Sequence, residues 1–295
     1  MRIGFVGLGA MGLPMTRNLL AAGHQVAVAS RSRPPIDAAV ALGAVDAGTP
    51  AGVAERAEVV VVCVPDSPDV DAVVTAMLPA LGPGRIVVDC STIDPDVERA
   101  MHGAVAATGA AYLDAPVSGG TAGAAAGTLT LMVGGDPATL AAARPALEPL
   151  AARIVHVGDA GMGQVVKLCN NLIYAAQMVA TAEATALAGR AGVDMAKLHE
   201  VVTHSTGDCV AVRTRLPVAG VVPDSPASND WAPGFMTDLM AKDLDLALRF
   251  GARSGVPLAS TALARQVLTA ASSAGYGRED FSALAKVVFA LAGVR

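Results

Sequence analysis

The chain has 295 residues, enough for about two domains. More than half of it is apolar (53%) and only 3% is aromatic, so the core is expected to be built from Ala, Val and Leu. A net charge of −5 lacks the basic surface that phosphate contacts need, and nucleic acid is excluded as an expected partner.

A short apolar run at residues 3–6 reads as the first strand. It leads directly into Gly7-Leu8-Gly9-Ala10-Met11-Gly12, and an amphipathic helical stretch follows at 13–22. A Gly-x-Gly-x-x-Gly pattern is weak alone; between strand and helix it points to dinucleotide binding. The first glycine permits a tight turn, the second lets backbone approach a pyrophosphate, and the third lets helix pack on strand. Free N–H groups at the helix start then face the phosphates.

Further strands are expected at 25–29, 59–64, 86–89, 112–114, 128–133 and 154–156, with helices at 68–77, 95–107 and 137–150 between them. The run Val59-Val60-Val61-Val62-Cys63-Val64 suits a strand covered on both faces. Pro68, Pro95 and Pro137 each follow Ser67, Asp94 or Asp136, the cap-then-proline signal of a helix start. Alternating β and α predicts a doubly wound, Rossmann-type sheet. After Gly161 only helical periodicity is read, at 163–191, 194–203, 235–254, 257–274 and 280–292, with an ordered loop at 216–234 rich in Pro, Gly, Ser and Asp. The expected organisation is a dinucleotide-binding domain at 1–160 and an all-α domain at 161–295, joined by a long helix from about 163.

The second strand ends in Ser30-Arg31-Ser32-Arg33, where NAD sites usually carry an acid. Arginine flanked by hydroxyls suits a 2′-phosphate, so NADP is the expected cofactor, with NAD possible; a solvated charged turn is the bland alternative. Asp114 to Gly120 reads as a strand end and a Gly-rich turn. Such a turn can receive a carboxylate on consecutive N–H groups beside the Ser118 hydroxyl, or be structural only. Lys167 and Asn171 lie four apart on one helical face among Val165, Val166, Leu168, Leu172 and Ile173. Most lysines are solvated; one held on so apolar a stretch is a candidate proton carrier, because burial favours the neutral amine.

Cys63, Cys90, Cys169 and Cys209 show no paired spacing, which argues against zinc or a disulfide framework and suits a reducing compartment. His24, His102, His156, His199 and His204 show no metal-like spacing either. The first strand begins within three residues of Met1, so no signal peptide is expected and the protein is read as cytoplasmic. The apolar stretch 163–189 carries Gln164, Lys167, Asn170, Asn171, Gln177 and Glu183, which are costly in lipid, so no membrane span is expected.

Taken together, these motifs resemble the β-hydroxyacid dehydrogenase family, most closely its 3-hydroxyisobutyrate dehydrogenases. The resemblance runs end to end through residues 5–15, Asp89-Cys90-Ser91-Thr92, Asp114 to Gly120 with Gly123-Ala124, Gly161-x-Gly163-x-x-x-Lys167-x-x-Asn170-Asn171, and Lys242-Asp243-Leu244-x-Leu246-Ala247. It implies Lys167 as general acid/base, Asn171 as its positioner and a substrate partner, and Ser118, Gly119 and Gly120 as a carboxylate cradle. It implies Gly7, Leu8, Gly9, Ala10, Met11, Gly12, Ser30, Arg31, Ser32, Val64, Pro65, Thr92, Phe235 and Lys242 at the cofactor.

The implied reaction is NAD(P)-dependent hydride transfer between a small β-hydroxy acid and its semialdehyde. The 216–234 loop resembles that of 3-hydroxyisobutyrate dehydrogenases. Arg31 replaces a typical acid, and Val210 stands where relatives commonly carry Trp; if it lines the substrate pocket, it leaves extra volume. A glyoxylate, succinic or tartronate semialdehyde reductase is the alternative within the family. Lys167 argues against an imine reductase and against a non-catalytic dinucleotide sensor. The Ala-rich helical half suggests a homodimer or homotetramer.

Overall fold

The computed structural model describes residues 1–294, which divide into two compact units, Met1–Lys167 and the residues from Leu168 onward. The first alternates strands and helices: β1 (Arg2–Val6), α1 (Gly12–Ala21), β2 (Gln25–Ala29), α2 (Arg33–Ala41), β3 (Val45–Asp46), α3 (Pro50–Arg56), β4 (Val59–Val62), α4 (Ser67–Met77), β5 (Ile86–Asp89), α5 (Pro95–Ala106), β6 (Ala111–Asp114), β7 (Val117–Ser118), α6 (Gly120–Ala126), β8 (Leu129–Gly134), α7 (Pro137–Leu147) and β9 (Ala151–Gly158). The strands form one sheet. Its order begins β3-β2-β1-β4-β5-β6, all parallel. Then β8 runs antiparallel to β6 and β7, and β9 pairs parallel with β8.

The valine run explains why the sheet is covered on both sides. Val59 and Val61 enter the core shared with Phe5, Met15 and Leu131, whereas Val60 and Val62 enter the opposite core with Val53, Val74 and Met77. Successive side chains on a strand alternate in direction, and both faces here are apolar. Burying each such side chain contributes about 1.5–3 kcal/mol.

Helix starts follow local chemistry. Asp94 and Asp136 cap α5 and α7, accepting from the N–H groups of Asp96 and Thr139. At α4 the cap lies one residue earlier than the Ser-Pro pair implies: Asp66 accepts from Ser67 N, and Ser67 is already helical. The stretch read as one helix to residue 150 ends at Leu147 and closes in a short 3-10 turn, Glu148–Leu150. Pro149 carries no N–H, so the α-helical hydrogen-bond ladder cannot continue through it.

From residue 162 the α-helices are α8 (Met162–Ala191), α9 (Met195–Val202), α10 (Val210–Arg215), α11 (Thr237–Arg253), α12 (Ala259–Ala271) and α13 (Leu284–Ala292). A long loop separates α10 from α11, and the described residues hold no strand here beyond one isolated bridge, Met236 to Asp280. Ala175, Met178 and Ala182 of α8 pack with Met240 and Leu244 of α11, Ala264 and Leu268 of α12, and Phe281. Small alanines let the helix backbones approach closely, which the aromatic-poor composition requires. Among the described residues no helix is long and apolar enough to cross a membrane.

Candidate active site

Strand register brings the predicted cofactor residues of the first unit to one edge of the sheet; Phe235 and Lys242 belong to the second. Val6 pairs with Ala29 and Val62, Val62 with Asp89, and Asp89 with Asp114, so neighbouring strands end level. Gly7 to Met11, Ser30 to Ser32, Val64 with Pro65, and Thr92 all leave from these carboxyl ends. Strand order reverses between β1 and β4, where open α/β sheets bind ligands.

The loop after β1 fits a dinucleotide pyrophosphate. Gly7 has φ +100°, and a Cβ on it would collide with the Cys63 carbonyl; one on Gly12 would collide with the Gly7 carbonyl. A Cβ built on Gly9 would meet no atom within 4 Å, so this side of its backbone lies open to an incoming group. Helix α1 has no side-chain cap and no acid in its first turn, leaving its N–H groups and positive dipole end for an anion. Two hydroxyls brace neighbouring loops: Leu8 N donates to Ser30 Oγ at 3.4 Å, and Val64 N to Ser91 Oγ at 2.9 Å.

Arg31 is largely exposed, and its guanidinium donates to Asp69 of α4 at 2.8 Å. Nothing in the sequence marks Asp69 as a partner of the cofactor loop. Ser118 ends β7, and Gly119 and Gly120 follow with φ +135° and +62°, a geometry that L side chains resist. The Gly-rich turn is also the start of a helix, since α6 begins at Gly120 without a side-chain cap.

Lys167 is buried on α8, only 8% exposed, rather than solvated. Asn171 follows one turn later and is 2% exposed. Asn171 Nδ2 donates to Asp243 Oδ2 at 2.6 Å, and Asn170 Nδ2 donates to Asn171 Oδ1 at 2.9 Å. Asp243 Oδ1 lies 3.1 Å from Lys242 Nζ. Asp243 is therefore a functional candidate that sequence reasoning missed: it orients Asn171 and Lys242 together. Its signal was an acid placed among the buried positions of α11. Phe235 N donates to the buried Asp280, and its ring stacks edge-on with Phe281. Val210 opens α10 and is exposed.

Beneath the cofactor edge lies a group of buried acids. Burial pushes the Asp89 carboxyl up to about 6 despite hydrogen bonds from Ser91, and pushes Glu98 well above its ordinary value, with Asp89 and Asp114 adding to the effect. Asp89 Oδ2, Glu98 Oε1 and Tyr112 Oη are buried without a well-aligned hydrogen-bond partner.

These shifts predict a sign. Between an ordinary Asp value of 3.8 and about 6, the unfolded chain loses the proton that folded Asp89 keeps. Stability therefore falls as pH rises through that window, by up to ~1.4 kcal/mol per pH unit and on the order of 3 kcal/mol in all. Glu98 extends the decline upward. Urea melts should give greater stability at pH 5 than at pH 7. Asp89→Asn, which keeps the acceptor for Ser91 N, should flatten the slope; an unchanged slope assigns the titration elsewhere.

A doubly wound sheet with a glycine-rich turn at its switch point is the architecture of dinucleotide-dependent oxidoreductases. Residues 2–158 match the NAD binding domain of 6-phosphogluconate dehydrogenase, and residues 161–288 match the NAD-binding domain of NADP-dependent 3-hydroxyisobutyrate dehydrogenase. The chain is 46% identical over 285 residues to a "Probable 3-hydroxyisobutyrate dehydrogenase" of Mycobacterium bovis, covering 96% of each. It is 43% identical to the NAD-dependent L-serine dehydrogenase of Pseudomonas aeruginosa, over 97% of each chain. A solved structure of Mycobacterium tuberculosis 3-hydroxyisobutyrate dehydrogenase with L-serine superposes with a TM-score of 0.91 at 43% identity, covering 97% of this chain and 98% of that one. The chain belongs to the 3-hydroxyisobutyrate dehydrogenase family of NAD(P)-dependent oxidoreductases that act on CH–OH groups of small hydroxy acids.

Proposed function

We propose that the chain interconverts a small β-hydroxy acid and its semialdehyde, with Lys167 as the general acid/base. The observation that carries this reading is the burial of Lys167 one turn before an Asn171 already held by Asp243. In oxidation the lysine nitrogen takes the hydroxyl proton, and in reduction it returns it. A bound nicotinamide supplies or accepts the hydride; the protein supplies geometry and charge. Ser118 and the N–H groups of Gly119 and Gly120 receive the substrate carboxylate, a role that their left-handed geometry favours because it turns successive N–H groups toward one point.

L-serine is the second reading. It is also a β-hydroxy acid, one relative is named for oxidising it, and one related structure holds it. Steady-state rates on both hydroxyisobutyrate enantiomers, L-serine, glycerate, 4-hydroxybutyrate and the semialdehydes, each with NAD and NADP, separate these readings. Activity confined to glyoxylate or succinic semialdehyde would overturn both.

For the coenzyme, Arg31 supports NADP, and its ion pair with Asp69 tempers that preference, because the same carboxylate repels a 2′-phosphate. A charge-assisted hydrogen bond is worth roughly 1.5–3 kcal/mol, about ten- to hundredfold in affinity. Arg31→Ala should lose that factor in kcat/KM for NADP and change NAD less than about threefold, while Asp69→Asn should shift the ratio toward NADP. Unchanged NADP kinetics in Arg31→Ala would remove the arginine from coenzyme choice. Four free thiols suit a reducing, cytoplasmic setting. Exposed Ile173, Leu187, Leu263 and Leu291 support a homodimer or homotetramer formed through the helical unit.

A further inference from the structure

Three hydrogen bonds converge on one side-chain amide at the start of α8. Gln164 Oε1 accepts from Ile93 N at 3.1 Å, and Gln164 Nε2 donates to Ser91 O and to Glu98 Oε2, each at 3.0 Å. The amide thus grips the backbone on both sides of Thr92, in the loop that leaves β5 at the cofactor edge. Ser91 passes the restraint on, since its hydroxyl accepts from Val64 N and its own N–H donates to Asp89 Oδ1 at 2.9 Å.

The first turn of α8 has a second anchor. Asp114, at the end of β6, accepts from Gly161 N at 2.8 Å and from Gln164 N at 3.1 Å. A Cβ on Gly163 would collide with the Met132 carbonyl and lie 2.7 Å from Asp114 Oδ2, so this turn has no room to shift. Gln164 and Glu98 are fully buried, and water cannot replace a lost partner.

Lys167 begins the next turn of the same helix, about 4.5 Å further along its axis. We propose that Gln164 is a positioning residue that fixes Lys167 relative to the cofactor-lining backbone at residues 91–93. The proposal rests on the acid/base reading of Lys167. Only a side chain ending in both a donor and an acceptor can hold Ile93 N, Ser91 O and Glu98 together. A carboxylate supplies no donor, and an apolar side chain supplies neither.

Gln164→Met, close in volume but without the amide, should lower kcat by about 10- to 100-fold, the effect of a small misplacement of a reacting group. Cofactor affinity, read by NAD(P)H fluorescence, should fall by less than kcat does, because the Gly7–Gly12 cradle keeps its own anchors while the 91–93 backbone loses one. A Gln164→Met protein that melts cooperatively and keeps kcat within about threefold, with only a lower Tm, reduces Gln164 to a structural role and overturns the proposal.

Gln164→Glu keeps the test decisive if the methionine variant does not fold. Glu98 from α5 lies at hydrogen-bond distance of the new carboxyl, Asp114 from β6 accepts from the same residue's N–H, and Lys167 lies one turn along α8. Full burial beside Glu98 and Asp114 outweighs the lysine and moves the ionisation upward. While protonated it supplies one donor and one acceptor; once ionised it can still accept from Ile93 N but has no donor left for Ser91 O or Glu98. Its kcat relative to the parent should fall by about tenfold or more between pH 6 and pH 9, and a flat ratio overturns the proposal. Lys167→Ala is measured beside both. If it retains turnover, the acid/base reading fails whatever Gln164 does; if it loses turnover while the Gln164 variants keep theirs, only the positioning proposal fails.

Discussion

Replacing Lys167 with alanine should cut kcat by about 10²–10⁴-fold while leaving NAD(P)H binding in place, because proton transfer by a positioned side chain is worth that much. The cofactor cradle at Gly7 to Gly12 sits on β1 and α1 and does not include α8. Lys167→Arg separates proton transfer from charge alone. A guanidinium keeps the positive charge but stays protonated at any working pH, so it cannot accept a proton. If Lys167 carries the proton, the arginine variant is as impaired as alanine, and small primary amines added to Lys167→Ala restore part of the rate. If the residue only attracts a substrate carboxylate, Lys167→Arg keeps most of the turnover and amines do nothing. Turnover within about tenfold of the parent in Lys167→Ala removes it from the chemistry.

The same distinction shows what could be read from the residues alone. Local signals carried the sheet: the valine run, the strand–glycine–helix passage and the capped proline starts each lie within a dozen residues. Spacing along one helix put Lys167 and Asn171 on a shared face, and both are buried there. Helices α2 and α3 were not foreseen. They are short and Ala-rich, although Thr49 before Pro50 was a usable start signal, and Thr49 does cap α3. The two-residue strands β3 and β7 pair only through the sheet and leave no periodicity to detect.

Partners distant in sequence were out of reach. Asp243 meets Asn171 across 72 residues, Asp69 meets Arg31 across 38, and Gln164 meets Ser91 across 73. Each of these residues has an ordinary reading in isolation: a helix acid, a first-turn acid, a polar residue in an apolar helix. Their roles come from which strand ends lie level and which helices touch. The family motif did mark Lys242-Asp243 as a block without saying that the acid is the hinge of the group. Gln164 fell on an unassigned position of its motif, and only the buried hydrogen bonds single it out.

The second large expected effect is on stability. Asp280 is fully buried, and its carboxylate accepts from Gly234 N, Phe235 N, Ser282 N and Ser282 Oγ while pairing with Arg215 Nε at 3.1 Å. Arg215 in turn donates to the Tyr174 hydroxyl and lies 5.4 Å from the ring centres of both Tyr174 and Phe281. Asp280→Ala leaves a mostly buried guanidinium and three backbone N–H groups without their acceptor, so it should cost about 3–5 kcal/mol. At a typical urea slope of ~1–3 kcal/mol per molar, the transition moves down by one molar or more. The chain's one tryptophan reports the change directly, since the Trp231 carbonyl accepts from Asp280 N at 3.0 Å. Arg215→Met combined with Asp280→Ala should cost less than the two single losses added, because removing both charges leaves no unpaired ion. Strict additivity, or a Trp231 transition within about 0.3 M of the parent in Asp280→Ala, would mean that the carboxylate does not organise the entry to α11, and the bracing of Phe235 would need another source.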